Sequence, residues 1–412
     1  MILSLKLALT EAKGALRGKC GSSLLGAMLL AGCAGTAINP ATRPINVPFA
    51  FAVDTNLVET IAPGVNHRFI YSKTGPWAIH ILVVDLTGCN SAVAIKGIAG
   101  AAGRIKTSTL LGDLRTRDSV VGGVNADFFS LATGVPVGAL VTGGRIVTGP
   151  HTQPVLAFDS SGRAHTTVLY ANGTASIGGQ PREIYSWNRP NNAGLAYFDA
   201  TWGRTMDTAT SAIEVVLDAG NPATVVSIDT ANAGASIPQA GGVLVAGRAA
   251  EPALRSALLG LHRGDTLRVT MSLAPFHPRD AIGGRPMLAR DSVIADDIDA
   301  ERQATFKARN PRTAAGISHD GRRLILAVVD GRQKGYSAGM TLREIAKLML
   351  ALGARDAINL DGGGSSTMVY AYPSSSGALR IANSPSDSLP NGQHVERAVG
   401  DALAIIRGCG AR

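Results

Sequence analysis

The chain has 412 residues, of which 45% are hydrophobic and only 5% aromatic, so its core must be built mainly from aliphatic side chains. Its 49 glycines and 20 prolines follow no triplet repeat, which excludes a collagen-like fibre and favours a β-rich chain with many tight turns. The formal charge of +9 is spread along the chain without a block of like charges, so we expect no nucleic-acid partner.

The N-terminal segment 1–33 has the pattern of an export signal, with a basic stretch before a short apolar run at 24–32. That run is shorter than the roughly 20 residues that a transmembrane helix needs. It leads into Leu-Ala-Gly-Cys, which resembles a bacterial lipobox and predicts a lipid anchor on Cys33; an ordinary cleaved signal peptide is the alternative. We therefore expect an exported protein, lipid-anchored in the cell envelope, in the outer membrane facing the periplasm or the exterior.

The segment 34–75 contains proline and threonine without clear periodicity, and we interpret it as a tether to a folded body over 76–408. Six short apolar runs bounded by turn residues predict strands. They lie at 77–85, 137–141, 155–158, 213–217, 266–271 and 324–329. The region 180–275 is either a β-rich subdomain or more strands of one sheet system.

Helical spacing of apolar residues predicts two helices, at 109–118 and 341–352. In the second, Thr341 and Glu344 form a capping box and Gly353 ends the helix. The predicted fold class is therefore mixed α/β and β-rich, with a central sheet system and a few helices. Cys89 and Cys409 remain after the leader, either as one disulfide joining the two ends of the fold or as two free thiols.

The densest unusual segment is 357–368, in which an apolar run leads to Asp361 and then to three glycines and three hydroxyl residues. The run predicts a strand with a carboxylate at its end, and the glycines let the backbone turn sharply and approach a ligand closely. The hydroxyls and amides that follow suit an anion. A tight turn without a ligand is the alternative.

Other segments also place polar side chains at predicted strand ends. The segment 125–129 combines Asp127 with two phenylalanines, which suit a sugar face; the alternative is that the rings are core and Asp127 caps a turn. The segment 309–314 offers two arginines around a proline, and the planar guanidinium suits phosphate oxygens, although a solvated surface arginine is the usual reading of one such residue. Asp330 and Arg332 follow the strand at 324–329, and Arg285 follows a flexible turn.

These motifs, in this order, resemble the phosphodiester glycosidases, the family of N-acetylglucosamine-1-phosphodiester alpha-N-acetylglucosaminidase with bacterial members labelled as exopolysaccharide-associated. The resemblance covers roughly 77–407. The matching segments are 125–129, 284–286, 309–313, 330–332, 337–342, 359–368 and 385–387, with Glu396 and Arg397. The resemblance implies that family's fold, and cleavage of the bond between a sugar's anomeric carbon and a phosphodiester, in envelope or extracellular glycans.

A sugar-1-phosphodiester needs arginines to hold its phosphate and a carboxylate to activate water or attack the anomeric carbon. The catalytic candidates are Asp361, which we favour, Asp127 and Asp330. Arg309 and Arg312 are the expected phosphate ligands, supported by Arg285 or Arg332. The full set of expected binding residues is Asn125, Phe128, Arg285, Arg309, Arg312, Thr313, Arg332, Asn359, Gly362, Gly363, Gly364, Ser365, Ser366 and Thr367.

These motifs do not specify a cofactor. Ca²⁺ or Mg²⁺ would suit the Asp and Asn oxygens, whereas no His or Cys cluster has the spacing of a zinc site. The expected partners are a phosphorylated carbohydrate substrate and, through the lipid anchor, a membrane. The alternative function is a non-catalytic glycan-binding lipoprotein that handles or exports exopolysaccharide.

Overall fold

The computed structural model describes residues 51–96, 100–116, 119–204, 212–230, 236–301, 303–373 and 377–408. Within them lie 30 strands, numbered β1 to β30 in chain order, and four helices. The predicted mixed, β-rich fold class is confirmed. The predicted export signal and Cys33 lie outside the described residues. No helix in the described ranges is long and apolar enough to cross a membrane.

The main sheet has eight antiparallel strands. In spatial order they are β1 (Thr55–Ala62), β2 (Val65–Ser72), β3 (Trp77–Asp85), β23 (Arg323–Val329), β22 (Arg312–Ile317), β24 (Asp356–Asn359), β20 (Met287–Arg290) and β21 (Val293–Ile294). All nine residues of β3 are buried, because both faces of the sheet are covered.

A companion sheet of five strands packs on one face of the main sheet. It contains β26 (Leu379–Ile381), β25 (Met368–Ala371), β6 (Ser119–Asn125), β30 (Ala402–Arg407) and β4 (Asn90–Ile95). Leu82 and Leu326 of the main sheet share a core cluster with Val124 and Ile405 of this sheet. The two sheets therefore share one buried apolar layer.

Two further sheets complete the large elements. The small sheet contains β10 (Ala164–Val168), β9 (Pro154–Phe158), β19 (Asp280–Gly283), β7 (Leu140–Thr142) and β8 (Arg145–Thr148). The β11–β18 sheet contains β17 (Thr266–Leu267), β15 (Ala223–Asp229), β14 (Ile213–Leu217), β16 (Gly242–Ala246), β13 (Leu195–Asp199), β12 (Gln180–Trp187), β11 (Tyr170–Ile177) and β18 (Val269–Ala274). Two strand pairs are separate: β27 (Asp387–Ser388) with β28 (His394–Val395), and β29 (Ala398–Val399) with β5 (Ile105–Lys106).

The helices are α1 (Thr107–Arg115), α2 (Pro252–Leu259), α3 (Ala304–Lys307) and α4 (Leu342–Ala351). Helix α4 buries Ile345 and Met349 against the second face of the main sheet. The Thr341 side chain accepts from the Glu344 amide, and Glu344 accepts from the Thr341 amide, so the predicted capping box is confirmed. Gly353 follows the helix with a φ of +87°, a value that glycine adopts without strain.

Helix α1 begins two residues earlier than the predicted 109–118 and ends at Arg115, and 117–118 lie outside the described residues. The Glu396 carboxylate accepts from the Ser108 amide at 2.8 Å and caps the first turn from 288 residues away along the chain. A cap supplied by a distant residue leaves no local sequence pattern. The predicted start at residue 109 is therefore wrong, and α1 begins at Thr107.

The predicted strand at 137–141 is wrong in its first three residues, since β7 begins at Leu140. The Val137 amide donates to the Phe128 carbonyl, and the Gly138 amide donates to the Asp127 carboxylate. Loop contacts therefore replace the strand ladder there. The predicted strand at 266–271 is divided between β17 and β18.

The tether interpretation of 34–75 is wrong from residue 55 onward, because β1 and β2 form the edge of the main sheet. Strand β2 buries Val65, His67 and Ile70, and its polar composition gives no sign of this burial in the sequence.

Cys89 lies between β3 and β4 and is disulfide-bonded, and its carbonyl accepts from the Gly408 amide at 2.8 Å. The free-thiol alternative is thus wrong for Cys89, while Cys409 lies outside the described residues.

Candidate functional site

The predicted glycine-rich loop leaves the main sheet at the end of β24 and runs under the companion sheet. The Asp361 amide donates to the Ala126 carbonyl at 2.9 Å, and a 3₁₀ turn, Gly363–Ser365, follows. Gly363 has a φ of +62°, and a Cβ on it would lie 3.2 Å from the Arg332 guanidinium. Glycine there lets the loop turn and lets an arginine approach its backbone.

A cavity of about 230 Å³ opens beside this loop. Its walls come from the main sheet and the loops at its edge, the Gly-rich loop, the segment around α3, the segment after β6 and the residues between β28 and β29. The lining residues are Phe128, Arg285, Gln303, Thr305, Phe306, Asn310, Arg312, Arg332, Asp361, Gly362, Gly363 and Arg397. Four guanidinium groups and one carboxylate therefore surround a single small space.

Arg312 and Arg332 have no carboxylate partner in the described ranges. Arg312 is fixed by backbone carbonyls: its Nε donates to Met340 O at 2.9 Å, and its Nη2 donates to Ala308 O at 2.8 Å and to two neighbouring carbonyls. Burial, and secondarily the charge of Arg332, lower the pKa of Arg312 to about 10, so it stays protonated at neutral pH. Arg332 is held through one bond, from Nε to Asn310 Oδ1 at 3.1 Å. Two positive charges thus line the cavity without a neutralising carboxylate among the described residues, and that of Arg312 is the more firmly held.

Arg397 and Arg285 are held by acids outside the cavity lining. Arg397 donates two parallel bonds to Asp387, at 2.8 and 2.9 Å. Arg285 lies 3.6 Å from Glu301 and stacks near the rings of Phe128 and Phe306, at 5.6 and 5.7 Å from their centroids. The Arg285 Nε is buried without an acceptor in the described ranges, which leaves a donor for a ligand.

Asp361 is the one acidic residue that lines the cavity, among the residues described. Burial raises its pKa to about 6, because the charged form loses water contact. Its Oδ1 accepts from the Gly362 amide at 3.0 Å. The carboxylate is therefore mostly ionised at neutral pH and close to the pH at which it takes up a proton.

Asp127 lies behind the cavity, in a buried group of charges. Its amide donates to Asp401 Oδ1 at 2.9 Å, and its Oδ2 accepts from the Gly138 amide at 2.5 Å. Burial and the neighbouring Asp401 raise the pKa of Asp127, and burial raises that of Asp401 to about 7. Lys96, whose pKa burial lowers to about 8, donates to the carbonyls of Gly103 and Gly400, both at 2.9 Å. Asp127 is thus held away from the cavity lining.

Asp330 is buried in a hydrogen-bonded network. Its carboxylate accepts from the Asn383 side chain, the Ser384 amide and the Tyr336 hydroxyl, at 2.9 to 3.1 Å. Burial raises its pKa to about 6. These bonds fix the segment after β26 against the end of β23. Asp330 therefore lies outside the cavity lining, like Asp127.

Several expected binding residues support the loop rather than line the cavity. The Asn125 side chain joins two sheets. Its Nδ2 donates to the Asp361 carbonyl at 2.7 Å, and its Oδ1 accepts from Thr313 Oγ1 and from the Thr367 backbone amide. Asn359 donates to Arg285 O at 2.7 Å. The remaining supporting residues of the loop are the buried Gly364, Ser365, Ser366 and Thr367.

Arg309 is placed differently from the other expected phosphate ligands. It donates to both oxygens of Glu344, at 3.2 and 2.6 Å, and its side chain is 45% exposed. Its guanidinium also stacks 5.4 Å from the Trp77 ring. The carboxylate that caps α4 therefore holds this arginine outside the cavity lining.

Five lining residues were not among the expected binding residues: Gln303, Thr305, Phe306, Asn310 and Arg397. Asn310 and Arg397 lie within the segments that match the family, so membership of those segments is the sequence signal that points to them. Gln303, Thr305 and Phe306 belong to or flank the four-residue α3. Such a short helix has no periodicity to read.

The oxygens around the cavity do not form a carboxylate-rich cage of the kind that Ca²⁺ prefers. Within the described residues, no three His, Cys, Asp or Glu side chains converge so as to hold a metal ion. Asp361 has arginines as its charged neighbours in the cavity, and these repel a cation.

Comparison with known proteins bears on the C-terminal half of the chain. Residues 212–406 match the family model described as phosphodiester glycosidase. The resemblance inferred from the sequence motifs is therefore confirmed over this range. No curated protein matches the chain at a significant level.

Two solved structures share the fold. A protein of unassigned function from Synechocystis superposes with a TM-score of 0.67 at 21% identity; the match covers 86% of this chain and 64% of that one. A protein from Burkholderia pseudomallei K96243, provisionally named as exported, gives 0.62 at 27% identity and covers 81% and 74%. The catalytic domain of zebrafish N-acetylglucosamine-1-phosphodiester alpha-N-acetylglucosaminidase gives 0.44 at 18% identity, covering 86% and 82%, which is too low to establish a shared fold. The chain thus spans about two thirds of the Synechocystis protein.

Proposed function

We propose, because residues 212–406 match the phosphodiester glycosidase family model, that the protein hydrolyses the bond between the anomeric carbon of a sugar and a phosphodiester oxygen. The substrates are phosphodiester-linked sugars of envelope or extracellular glycans. One observation carries this proposal: Arg285, Arg312, Arg332 and Arg397 surround one carboxylate, Asp361, in a single cavity.

The charge pattern favours a phosphate leaving group. An ordinary glycosidase uses two carboxyl groups, one of them a general acid that protonates the departing alkoxide. In the described part of the chain, Asp361 alone supplies a carboxyl group to the cavity lining. A phosphate monoester departs as a stable anion and needs no general acid, whereas it does need cations placed where its negative charge develops. Arg312 and Arg332 fit that role because neither is paired with a carboxylate of the described residues.

Asp361 is the proposed catalytic residue. It either attacks the anomeric carbon to form a glycosyl ester, which water then hydrolyses, or takes a proton from the water that attacks the carbon directly. In both routes the bond between the anomeric carbon and the phosphate oxygen breaks, and its electron pair leaves with the phosphate. Retention of the anomeric configuration would indicate the first route, and inversion the second. The pKa of about 6 keeps this group ionised, as both routes require, at neutral pH.

Asp127 and Asp330 are proposed as positioning residues. The Asp127 carboxylate accepts from the Gly138 amide, while the Asp127 amide is itself held by the Asp401 carboxylate. The Asp330 carboxylate holds the segment at 383–384. The phenyl rings of Phe128 and Phe306 form the apolar part of the cavity. They suit the C–H face of the sugar.

The test is a product assay on the purified mature protein, with and without a chelator, using UDP-N-acetylglucosamine and a methyl sugar-1-phosphodiester. Free sugar is expected from at least one of them. Sugar phosphate would instead mean cleavage of the P–O bond. No product from a wide panel of such diesters would favour the glycan-binding alternative.

Lipid anchoring of the exported protein on Cys33 is a separate proposal, supported by the Leu-Ala-Gly-Cys sequence. Growth of an expressing bacterium with a labelled fatty acid should label the protein. Cys33→Ser should remove the label and leave the enzymatic activity of the released protein unchanged. Labelling that persists in Cys33→Ser would contradict the anchor.

A further inference from the structure

The β11–β18 sheet has an open face at one end. Its inner face packs Ala175, Ile184 and Leu195 into a core of its own. On the outer face, a second apolar cluster around Phe198 and Val243 covers the middle strands. The outer faces of β11, β12 and β18 are exposed instead.

The exposed positions of these three strands lie side by side. Thr174 of β11 pairs with Thr270 of β18 and with Glu183 of β12, and Asn172 pairs with Ser272. Because alternate residues of a strand point to the same face, these side chains form one surface. The Thr174 and Thr270 hydroxyls are hydrogen-bonded at 2.8 Å. The surface is therefore a row of hydroxyl, amide and carboxylate groups.

Two adjoining depressions cross this surface. One, of about 520 Å³, is lined by Asn172, Gly173, Thr174, Pro181, Glu183, Thr270 and Ser272. The other, of about 370 Å³, is lined by Pro181, Arg182, Glu183, Tyr185, Asn191, Ala193, Gly194, Glu251 and Leu254. Pro181 and Glu183 belong to both, so the two form one groove, which we call the β12 groove. It shares no residue with the cavity at Asp361.

Tyr185 gives the β12 groove an aromatic wall. Its side chain is 59% exposed, although burying a ring is normally favourable. The ring packs on Gly194, where a Cβ would lie 2.5 Å from a ring carbon. A glycine at this position thus lets the ring lie against the backbone in a fixed orientation. One face of an aromatic ring is thereby held ready at low entropic cost.

The polar groups of the groove also point to a ligand. Arg182 lines the second depression only, and it alternates with Pro181 and Glu183 along β12, so it approaches from the opposite face of the strand. Its Nε is shielded from solvent and has no acceptor within the described residues. A shielded donor without a partner is costly unless a ligand or a water accepts from it. The charged residues that line the second depression are two carboxylates, Glu183 and Glu251, and one guanidinium, that of Arg182, so negative charge predominates. This balance disfavours a phosphate or another polyanion, in contrast to the four arginines of the cavity at Asp361.

We infer that the β12 groove is a second carbohydrate site, which binds a neutral oligosaccharide through stacking on Tyr185 and hydrogen bonds to the polar strand face. A pyranose ring presents C–H groups on its faces and hydroxyls around its edge. The C–H groups can stack on an aromatic ring, and the hydroxyls can form hydrogen bonds with threonine, asparagine and carboxylate side chains. The site would hold a glycan chain and raise the local concentration of phosphodiester linkages near the cavity.

The test uses native electrophoresis of the full protein in gels containing one neutral polysaccharide each: hydroxyethylcellulose, galactomannan, dextran or xylan. At least one should retard the protein, and Tyr185→Ala should weaken that binding by about tenfold or more. Tyr170→Ala is the matched control, because Tyr170 is 57% exposed on the same sheet but outside the groove. It should bind like the wild type.

Hydrolysis of a methyl sugar-1-phosphodiester by Tyr185→Ala should equal that of the wild type, so the second site and the proposed activity are judged separately. The inference is overturned if no neutral polysaccharide retards the protein. It is also overturned if Tyr185→Ala binds as tightly as the wild type, or if Tyr170→Ala loses as much binding. Retardation that occurs only with anionic polymers would likewise contradict it.

Discussion

Substitution of Arg332 by Gln separates charge from shape in the candidate site. Arg332 is held by one hydrogen bond, from Nε to Asn310, and its terminal nitrogens lie beside Gly363 at the cavity. Glutamine keeps much of the length and loses the charge. Removal of one donor aimed at developing charge typically costs about 2.7–4 kcal/mol, so kcat should fall about 10²–10³-fold. The assay is sugar release from a methyl sugar-1-phosphodiester at neutral pH.

Arg309→Ala is the matched control, because Arg309 is ion-paired with Glu344 outside the cavity lining. An exposed ion pair contributes about 0–1 kcal/mol to stability, so this variant should keep kcat within about threefold. Thermal unfolding of both variants checks that each is folded. The reasoning is refuted if Arg332→Gln is folded and fully active, or if Arg309→Ala loses as much activity as Arg332→Gln.

Three further predictions follow from the buried charges and the helix cap. Since burial raises the pKa of Asp361 to about 6, kcat/KM should rise through about pH 6 and level off above it, and Asp361→Asn should abolish turnover at every pH. Because the pKa of Asp401 is raised to about 7, the folded state binds its proton more tightly than the unfolded chain does, with a pKa of about 3.9. In urea titrations, the free energy of unfolding of the wild type should therefore fall relative to that of Asp401→Asn as the pH rises from about 4 to about 7. A difference that stays constant over this range would contradict this. Thr341→Ala should lower the free energy of unfolding by about 1 kcal/mol through loss of the cap on α4, and an unchanged urea midpoint would refute that role.

The parts of the fold that the sequence predicted are those with local signals. Strand β3 is a run of nine buried residues, and α4 has both a capping box and an apolar face. Where the signal was long-range, prediction failed: β2 is buried through a polar-looking sequence, and α1 is capped by Glu396 from far along the chain. Register and pairing depend on contacts of this kind.

The same division applies to the site. The sequence predicts Asp361 and Arg332 as site residues, because each follows an apolar strand. Both line the cavity in the structure. Asp330 also follows an apolar strand, but its carboxylate accepts from Asn383 and Ser384 outside the cavity lining. Sequence cannot tell these two situations apart. Arg309 and Arg312 are three positions apart, but their surroundings differ. Arg309 is paired with Glu344 outside the cavity lining, whereas Arg312 donates to backbone carbonyls and lines the cavity.

The most direct test of the central claim is the position of an oxygen label. Hydrolysis of a methyl sugar-1-phosphodiester in H₂¹⁸O, followed by mass spectrometry of both products, shows which bond breaks. The proposed mechanism predicts ¹⁸O at the anomeric carbon of the free sugar and unlabelled methyl phosphate. Label in the phosphate product would mean attack at phosphorus and would contradict the assignment of Asp361 and the arginines to glycosidic cleavage.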